Sequence, residues 1–308
     1  LDDHLLSPDF AGYRHTALAS PYPHNGVIAD LARQQQALVA YVHPFDWPIV
    51  PEKEIKLSHL LPADAINGKV DYLEVVSFAD HLATAAVWYR LLNVGIKLPA
   101  GAGTDAMANY ASLRGPVGMN RVFLNTDSIA KADTRQSVRS GRSFVTNSAL
   151  LGLRINGKAP GDTVSGKGAA IVDVDVSMRS IAAMEKLELV QNGMVIKSFD
   201  LSNGAKNFDG HVQLPLKRDG WLLLRAYNSQ AQPEIPDIYP YASTNPIWLD
   251  GFGARPDRKQ DADYFVRWLD RVIEAAELRQ ADFNTAQEYR ETLNYIRQAR
   301  AAYGKLGQ

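Results

Sequence analysis

The chain has 308 residues, contains no cysteine and carries a formal net charge of -1. The lack of cysteine excludes disulfides, thiolate metal ligands and a cysteine nucleophile. The balanced charge disfavours nucleic acid and anionic membranes as partners, because both select basic surfaces. Hydrophobic residues make up 46% of the chain, yet no apolar run reaches the roughly 18 residues of a membrane helix. We therefore expect a soluble globular protein of about two or three domains.

The sequence starts at Leu1 and shows neither an initiator methionine nor a signal-peptide pattern. We expect that residues before Leu1 have been lost by processing, truncation or disorder. The cellular compartment stays open, with export as one alternative.

Residues 1–148 alternate strand-like and helix-like segments. In chain order the patterns predict a short strand at 16–20, a helix over 26–36, a strand ending at 43, a strand at 72–76, a helix over 82–92, a strand ending at 105, a strand at 121–125 and a helix from about 127 to 140. This alternation is typical of an α/β domain with a largely parallel sheet or barrel.

Three of these predicted strands carry or end on polar side chains. The apolar run Ala37–Val42 stops at His43, the run Tyr72–Val76 contains Glu74, and a third segment ends on Asp105 after small residues. Parallel α/β barrels place metal ligands and catalytic groups at the C-terminal ends of their strands. We therefore expect neighbouring strands whose polar ends meet at one mouth.

The composition changes in the second half of the chain. Residues 149–250 contain short strands and turns without a convincing helix, and Asn192-Gly193 between two apolar runs predicts a hairpin with a type I′ turn. We interpret this segment as a small β-sandwich domain. Residues 251–308 carry two apolar stripes at helical spacing, which predict a C-terminal helical hairpin packed on the body.

Imidazole chemistry belongs to the first domain, because six of the seven histidines lie within the first 81 residues: His4, His15, His24, His43, His59 and His81. Any one of them is also explained as a loop residue or a satisfied core polar group. Histidine combined with carboxylates at successive strand ends is more specific, and this donor set suits zinc, manganese or iron.

Four motifs occur in the order and spacing of the PHP superfamily: Tyr41–Pro44, Tyr72–Val75, Gly103–Asp105 and Gly141–Ser148. More narrowly, the chain resembles the CehA/McbA family of metallohydrolases, in which a PHP barrel precedes a small β-domain. The run Leu151–Gly157 is similar to the opening of that β-domain. The resemblance covers about residues 2 to 249 and leaves the C-terminal helices unassigned.

The resemblance implies a fold and a metal site. The fold is a partial, distorted (β/α)7 barrel of the PHP type over residues 1–148, with divalent ions at its C-terminal mouth. By position, His43 and Asp105 match metal ligands of the family. His15 resembles a histidine that follows an early acidic ligand, and Asp3, with Asp2 as the alternative, would be that acid.

Two further residues are candidates for catalysis. Glu74 matches a recurrent acid on the strand after the His-Pro motif, as a ligand or as a group supporting one. His81, with His24 as an alternative, is a candidate to protonate a leaving group. The other interpretation of His81 is the N-terminal capping region of a helix.

The sequence departs from the family pattern at two points. The His-x-His pair that opens a PHP barrel is not found in this sequence, and we expect it upstream. The late Asp-x-His motif is Asp105-Ala106-Met107, and a thioether does not replace imidazole for a hard or borderline ion. The metal site implied by the resemblance is therefore incomplete within this sequence.

The resemblance implies a metal-dependent hydrolase that cleaves an ester, carbamate or amide bond of a small-molecule substrate through metal-activated water. One alternative is a phosphoesterase of the same superfamily. The other is a catalytically degenerate binding or structural protein, which Met107 favours. The substrate, the metal and the oligomeric state, including a homo-oligomer, stay open.

Overall fold

A computed structural model describes residues 20–53, 55–107, 115–202 and 204–307. It is a mixed α/β structure. The predicted strand at 16–20 lies almost entirely outside the described residues. In its first part, helices and strands alternate in the order α1 (Asn25–Gln34), β1 (Ala40–Tyr41), α2 (Leu61–Ile66), β2 (Tyr72–Val76), α3 (His81–Asn93) and β3 (Ala100–Ala102).

The strands β1, β2 and β3 form a three-stranded parallel sheet with β2 in the centre. Ala40 pairs with Tyr72, and Leu73 pairs with Ala100. Because the strands are parallel, their C-terminal ends lie at the same edge of the sheet. The alternation predicted for this region is thus confirmed. The described strands of the chain do not close into a barrel.

Helix α2 lies between the predicted strands ending at 43 and starting at 72, where the sequence patterns predict no helix. Pro62 occupies the first turn of α2, where a missing backbone N–H costs nothing. The following apolar residues pack into the main core. Packing therefore stabilises a helix of six residues that is too short to be recognised from periodicity.

The next elements are β4 (Arg121–Leu124), α4 (Lys131–Arg139) and β5 (Ser143–Thr146). Strands β4 and β5 pair with each other in antiparallel orientation, which departs from the largely parallel sheet that we expected. Helix α4 begins later than predicted, because Thr126 and Ser128 form a turn instead. The Thr126 hydroxyl donates to the Ser128 carbonyl at 2.8 Å, and the Ser128 hydroxyl accepts the Ala130 N–H at 3.0 Å.

The second half of the chain consists of strands, and no helix occurs in its described residues between 150 and 250. The strands are β6 (Leu150–Ile155), β7 (Thr163–Ser165), β8 (Ala170–Met184), β9 (Lys186–Gln191), β10 (Met194–Ser198), β11 (Ala205–Leu216), β12 (Gly220–Tyr227), β13 (Tyr241–Thr244) and β14 (Ile247–Asp250). Asn192 and Gly193 have φ angles of 52° and 85°, which confirms the type I′ hairpin between β9 and β10.

These strands form two sheets that face each other. The large sheet has the order β10-β9-β12-β13-β5-β4, with β14 and β7 joined through β12, and the small sheet has the order β11-β8-β6. Alternate residues of β8, including Val174 and Met178, pack against Leu189 and Leu224 of the large sheet in one hydrophobic core. The large sheet includes β4 and β5, so it crosses the domain boundary predicted at residue 149.

The opposite face of the large sheet packs against the α/β part. Val145, Trp221 and Tyr241 share the main core with α3 and with the C-terminal helices. Those helices are α5 (Lys259–Leu278) and α6 (Ala286–Leu306), and they pack against each other as the predicted helical hairpin.

Helix α6 is capped by Thr285, whose side chain accepts the Glu288 N–H while the Glu288 side chain bonds back. In the described part of the chain, no helix combines the length and apolar character needed to cross a membrane.

Candidate functional site

Three predicted site residues lie together at the C-terminal edge of the parallel sheet. His43 follows β1, Glu74 lies within β2, and Asp105 follows β3. The His43 Nε2 atom is 3.9 Å from Asp105 Oδ2, and the His43 backbone N–H donates to Glu74 Oε2 at 3.2 Å. The parallel register accounts for this meeting, because it brings three strand ends to one edge.

The chain turns sharply at two of these residues. His43 has a φ angle of 33° and Asp105 has a φ angle of 54°, in the left-handed region that residues with a side chain rarely adopt. Such a conformation costs about 1 kcal/mol or more, and strained residues of this kind cluster at functional sites.

Gly103 provides the space that the Glu74 carboxylate occupies. A Cβ atom at residue 103 would overlap Glu74 Oε1, so any side chain there would displace the carboxylate. The Gly103 N–H also donates to the Val76 carbonyl at 3.0 Å, which ties the end of β3 to the end of β2. The glycine at this position is therefore part of the site geometry.

The three polar side chains differ in their exposure. Glu74 is buried, and burial raises the pKa of its carboxyl, an effect that the His43 backbone N–H and the His43 charge oppose. The nearby Asp105 carboxylate raises the pKa of Glu74 further. The side chains of His43 and Asp105 are 46% and 33% exposed, so solvent and a ligand can reach them. The site thus combines one protected carboxyl with an accessible imidazole and carboxylate.

The donor set fits a divalent cation in part. Two donor atoms on one tetrahedral zinc ion lie about 3.4 Å apart, which is close to the separation of His43 Nε2 and Asp105 Oδ2. Imidazole and carboxylate are also suitable ligands for zinc, manganese and iron. In residues 20–53, 55–107, 115–202 and 204–307, however, no group of three or more histidine, aspartate or glutamate residues is arranged to hold a metal. The other expected ligands, Asp3 and His15, lie outside the described residues.

His81 has surroundings different from those expected of a proton donor to substrate. Its side chain is fully buried, with Nε2 3.4 Å from Asp237 Oδ2 and 3.3 Å from the Asn147 side-chain nitrogen. Burial raises the pKa of Asp237, but the hydrogen bond and charge of His81, together with hydrogen bonds from the Asn147 side chain and the Ile238 N–H, hold it below its usual value. The ring also packs against Tyr239. His81 therefore fixes the segment before β13 to the start of α3.

Asp80, next to His81, is the N-cap of α3 and accepts the Ala83 N–H at 2.7 Å. This contact confirms the capping interpretation for the region. His24, the alternative proton donor, is buried beside α1 and stacks on Tyr295 with ring centroids 4.3 Å apart. Burial lowers the pKa of His24 to about 4, so its imidazole is neutral at pH 7.

The sequence patterns do not predict two polar clusters near these elements. Asp237 and Asn147 surround His81, and Asp64 of α2 lies between Tyr41 and Tyr295. A signal existed for Asp64, because it is a single acid inside the apolar run 60–66. No comparable local signal marks Asp237, whose partners lie far away in the sequence.

Comparison with family models, curated proteins and solved structures yields no match to this chain. The functional interpretation therefore depends on the strand-end residues and on the resemblance of the sequence motifs. Met107 lies in the loop after Asp105 and is partly exposed.

Proposed function

We propose that this protein is a metal-dependent hydrolase of the PHP type that cleaves an ester, carbamate or amide bond. The observation that carries the proposal is the meeting of His43 and Asp105, which follow two parallel strands, with Glu74 of the central strand. These residues come from three of the four motifs on which the resemblance to the CehA/McbA family depends. In this proposal β1, β2 and β3 correspond to part of the family's distorted barrel.

His43 and Asp105 would hold the ion, because both are accessible and their donor atoms face each other across 3.9 Å. When bound, a divalent ion supplies Lewis acidity and activates water near neutral pH. The expected ligands Asp3 and His15 would complete the set. Glu74 supports His43 by accepting its backbone N–H, which fixes the turn that presents the imidazole.

Glu74 would also carry the proton during the reaction. Its carboxyl is buried beside the two proposed ligands, and its pKa is raised, so it takes up a proton more readily than an exposed glutamate. A proton accepted at Oε1 or Oε2 could then pass to the leaving group. The indole of Trp47, in the loop after His43, is 56% exposed and is available to contact a substrate.

The test uses protein purified without chelator and supplied separately with Zn²⁺, Mn²⁺ or Fe²⁺. p-Nitrophenyl acetate, a p-nitrophenyl carbamate, a p-nitroanilide and p-nitrophenyl phosphate serve as probes. We expect hydrolysis of at least one of the first three, and a loss of about 100-fold or more in His43→Ala together with loss of bound metal.

His211→Ala is the matched control, because His211 lies on the exposed face of the small sheet and pairs there with Asp175 at 2.8 Å. This variant should keep both metal and activity. Hydrolysis of the phosphate probe alone would favour the phosphoesterase alternative. Protein that neither retains metal nor hydrolyses any probe would favour the binding or structural alternative.

A further inference from the structure

The carboxylate of Asp64 connects the C-terminal helical hairpin to the strand that precedes His43. Asp64 lies in α2 and is 1% exposed. Its Oδ1 atom accepts the Tyr295 hydroxyl of α6 at 2.6 Å, and its Oδ2 atom accepts the Tyr41 hydroxyl of β1. We refer to the contact Tyr41–Asp64–Tyr295 as the Asp64 bridge.

Helix α1 leaves space for the Tyr295 ring at Gly26. A Cβ atom at Gly26 would lie 2.8 Å from the Tyr295 Cζ atom, so only glycine lets α1 approach this closely. His24, the residue before α1, stacks on the same ring. The Asn25 side chain donates to the Tyr41 hydroxyl at 2.6 Å, which leaves that hydroxyl's own proton for Asp64.

A buried carboxylate needs these donors. Burial raises the pKa of Asp64 to about 6, and the hydrogen bonds from Tyr295 and Tyr41 limit that rise. Each hydroxyl lost from the bridge leaves the buried charge less well satisfied. The bridge therefore favours one relative position of α6, α2 and β1.

Strand β1 is short, and just before it Val39 exchanges hydrogen bonds with Asp71 at 2.7 and 2.8 Å. Only Ala40 and Tyr41 pair with β2, and His43 follows two residues later in a strained conformation. The Tyr41 side chain is therefore one of the contacts that hold the segment leading to His43, beside the bond from the His43 N–H to Glu74. Two more bonds anchor the hairpin here: the Tyr303 hydroxyl donates to the Pro62 carbonyl of α2, and the Trp268 indole donates to the His59 carbonyl just before α2.

We propose that the C-terminal helical hairpin helps to position His43 in the candidate site, with Tyr295 and Asp64 acting as positioning residues. The metal-affinity part of this inference rests on the proposed function. The part that concerns the position of His43 does not, because it applies to metal-free protein.

The experiment compares Tyr295→Phe and Asp64→Asn with Tyr303→Phe as the matched control. Tyr303 is also a buried tyrosine of α6 that bonds to α2, but its hydroxyl donates to the Pro62 backbone carbonyl. The first readout is the pair of ring ¹⁵N signals of His43 in the metal-free protein, measured at pH 7.5 and assigned with His43→Gln. The second readout is the dissociation constant for Zn²⁺, and thermal unfolding reports the stability of each variant.

We expect Tyr295→Phe and Asp64→Asn to shift the His43 ring signals and to weaken Zn²⁺ binding about 10-fold. Tyr303→Phe should leave the His43 ring signals unshifted and the Zn²⁺ dissociation constant within about 2-fold of wild type. This should hold even where Tyr303→Phe lowers the unfolding midpoint as much as the bridge variants do. Wild-type protein that binds no Zn²⁺ would contradict the proposed function, while shifted His43 signals would still support the positioning role. Unshifted His43 signals in both folded bridge variants would overturn the positioning role, whether or not zinc binds.

Discussion

At the scale of single residues, the absence of a side chain at Gly103 determines where the Glu74 carboxylate lies. We expect Gly103→Ala to push that carboxylate aside and to break its bond with the His43 N–H. Zn²⁺ affinity should then fall about 10-fold, because a group that orients a ligand is lost. The midpoint of urea unfolding should change little, because the flexible end of a glutamate can move.

Gly304→Ala is the control for Gly103→Ala. A Cβ atom at Gly304 would meet no atom within 4 Å, so this change should leave metal affinity unaltered. Equal affinities in wild type and Gly103→Ala would show that the Glu74 carboxylate does not support the site.

His24 gives a prediction about pH. Its pKa is about 4 in the folded protein against 6.5 as its ordinary value, so the unfolded chain binds the extra proton between these values. Stability from this residue is therefore present above about pH 6.5 and is lost as the pH falls toward 4, by at most about 3 kcal/mol. His24→Phe keeps a ring against Tyr295 and should remove this dependence.

The measurement for His24 is the free energy of unfolding by urea at pH 7 and pH 4.5, for wild type and His24→Phe. Asp64 titrates with the opposite sign, because its pKa is raised to about 6, so only the difference between the two proteins isolates His24. If the free energies of unfolding of wild type and His24→Phe differ by the same amount at both pH values, the result would be inconsistent with a buried, neutral imidazole.

At the scale of elements, the buried pair His81–Asp237 joins α3, the segment before β13 and the end of β5. Asp237→Ala removes the acceptor for both His81 and Asn147, so we expect the free energy of unfolding to fall by about 3 kcal/mol. Asp209→Ala is the control, because the Asp209 side chain is 67% exposed and pairs with Arg179, so its loss should cost less than about 1 kcal/mol. Similar losses in the two variants, measured by urea unfolding, would mean that the buried pair stabilises no more than a surface pair.

Elements with a strong local signal were predictable. Strand β2, helix α3 and the Asn192-Gly193 hairpin agree with the sequence patterns, because apolar periodicity and turn residues act within a few positions. The antiparallel orientation of β5 was not predictable. Strand β5 pairs with β4 on one side and, on the other, with β13 about a hundred residues later, and a strand pattern specifies neither the partner nor the orientation.

The same distinction holds for the candidate site. His43, Glu74 and Asp105 could be expected together, since parallel strands bring their C-terminal ends to one edge. Contacts such as Tyr295 with Asp64 join distant helices, so no local pattern announces them. His81 is an example, because its surroundings include Asp237 and Tyr239 from the second half of the chain, which no local pattern predicts.

At the scale of the whole molecule, the large sheet lies between the small sheet and the α/β part. One face shares a core with β8, and the other shares a core with α3 and the C-terminal helices. The helical hairpin also contacts α2, which carries Asp64 of the bridge to β1. The candidate site is consequently supported by segments from both ends of the described chain.

The central claim is that His43 and Asp105 hold a divalent ion at the ends of parallel strands. An anomalous difference map at the zinc absorption edge, from crystals grown with Zn²⁺, tests it most directly. We predict a peak within about 2.3 Å of both His43 Nε2 and an Asp105 carboxylate oxygen. A map with no peak there, or with zinc only at a surface histidine such as His211, would contradict the account.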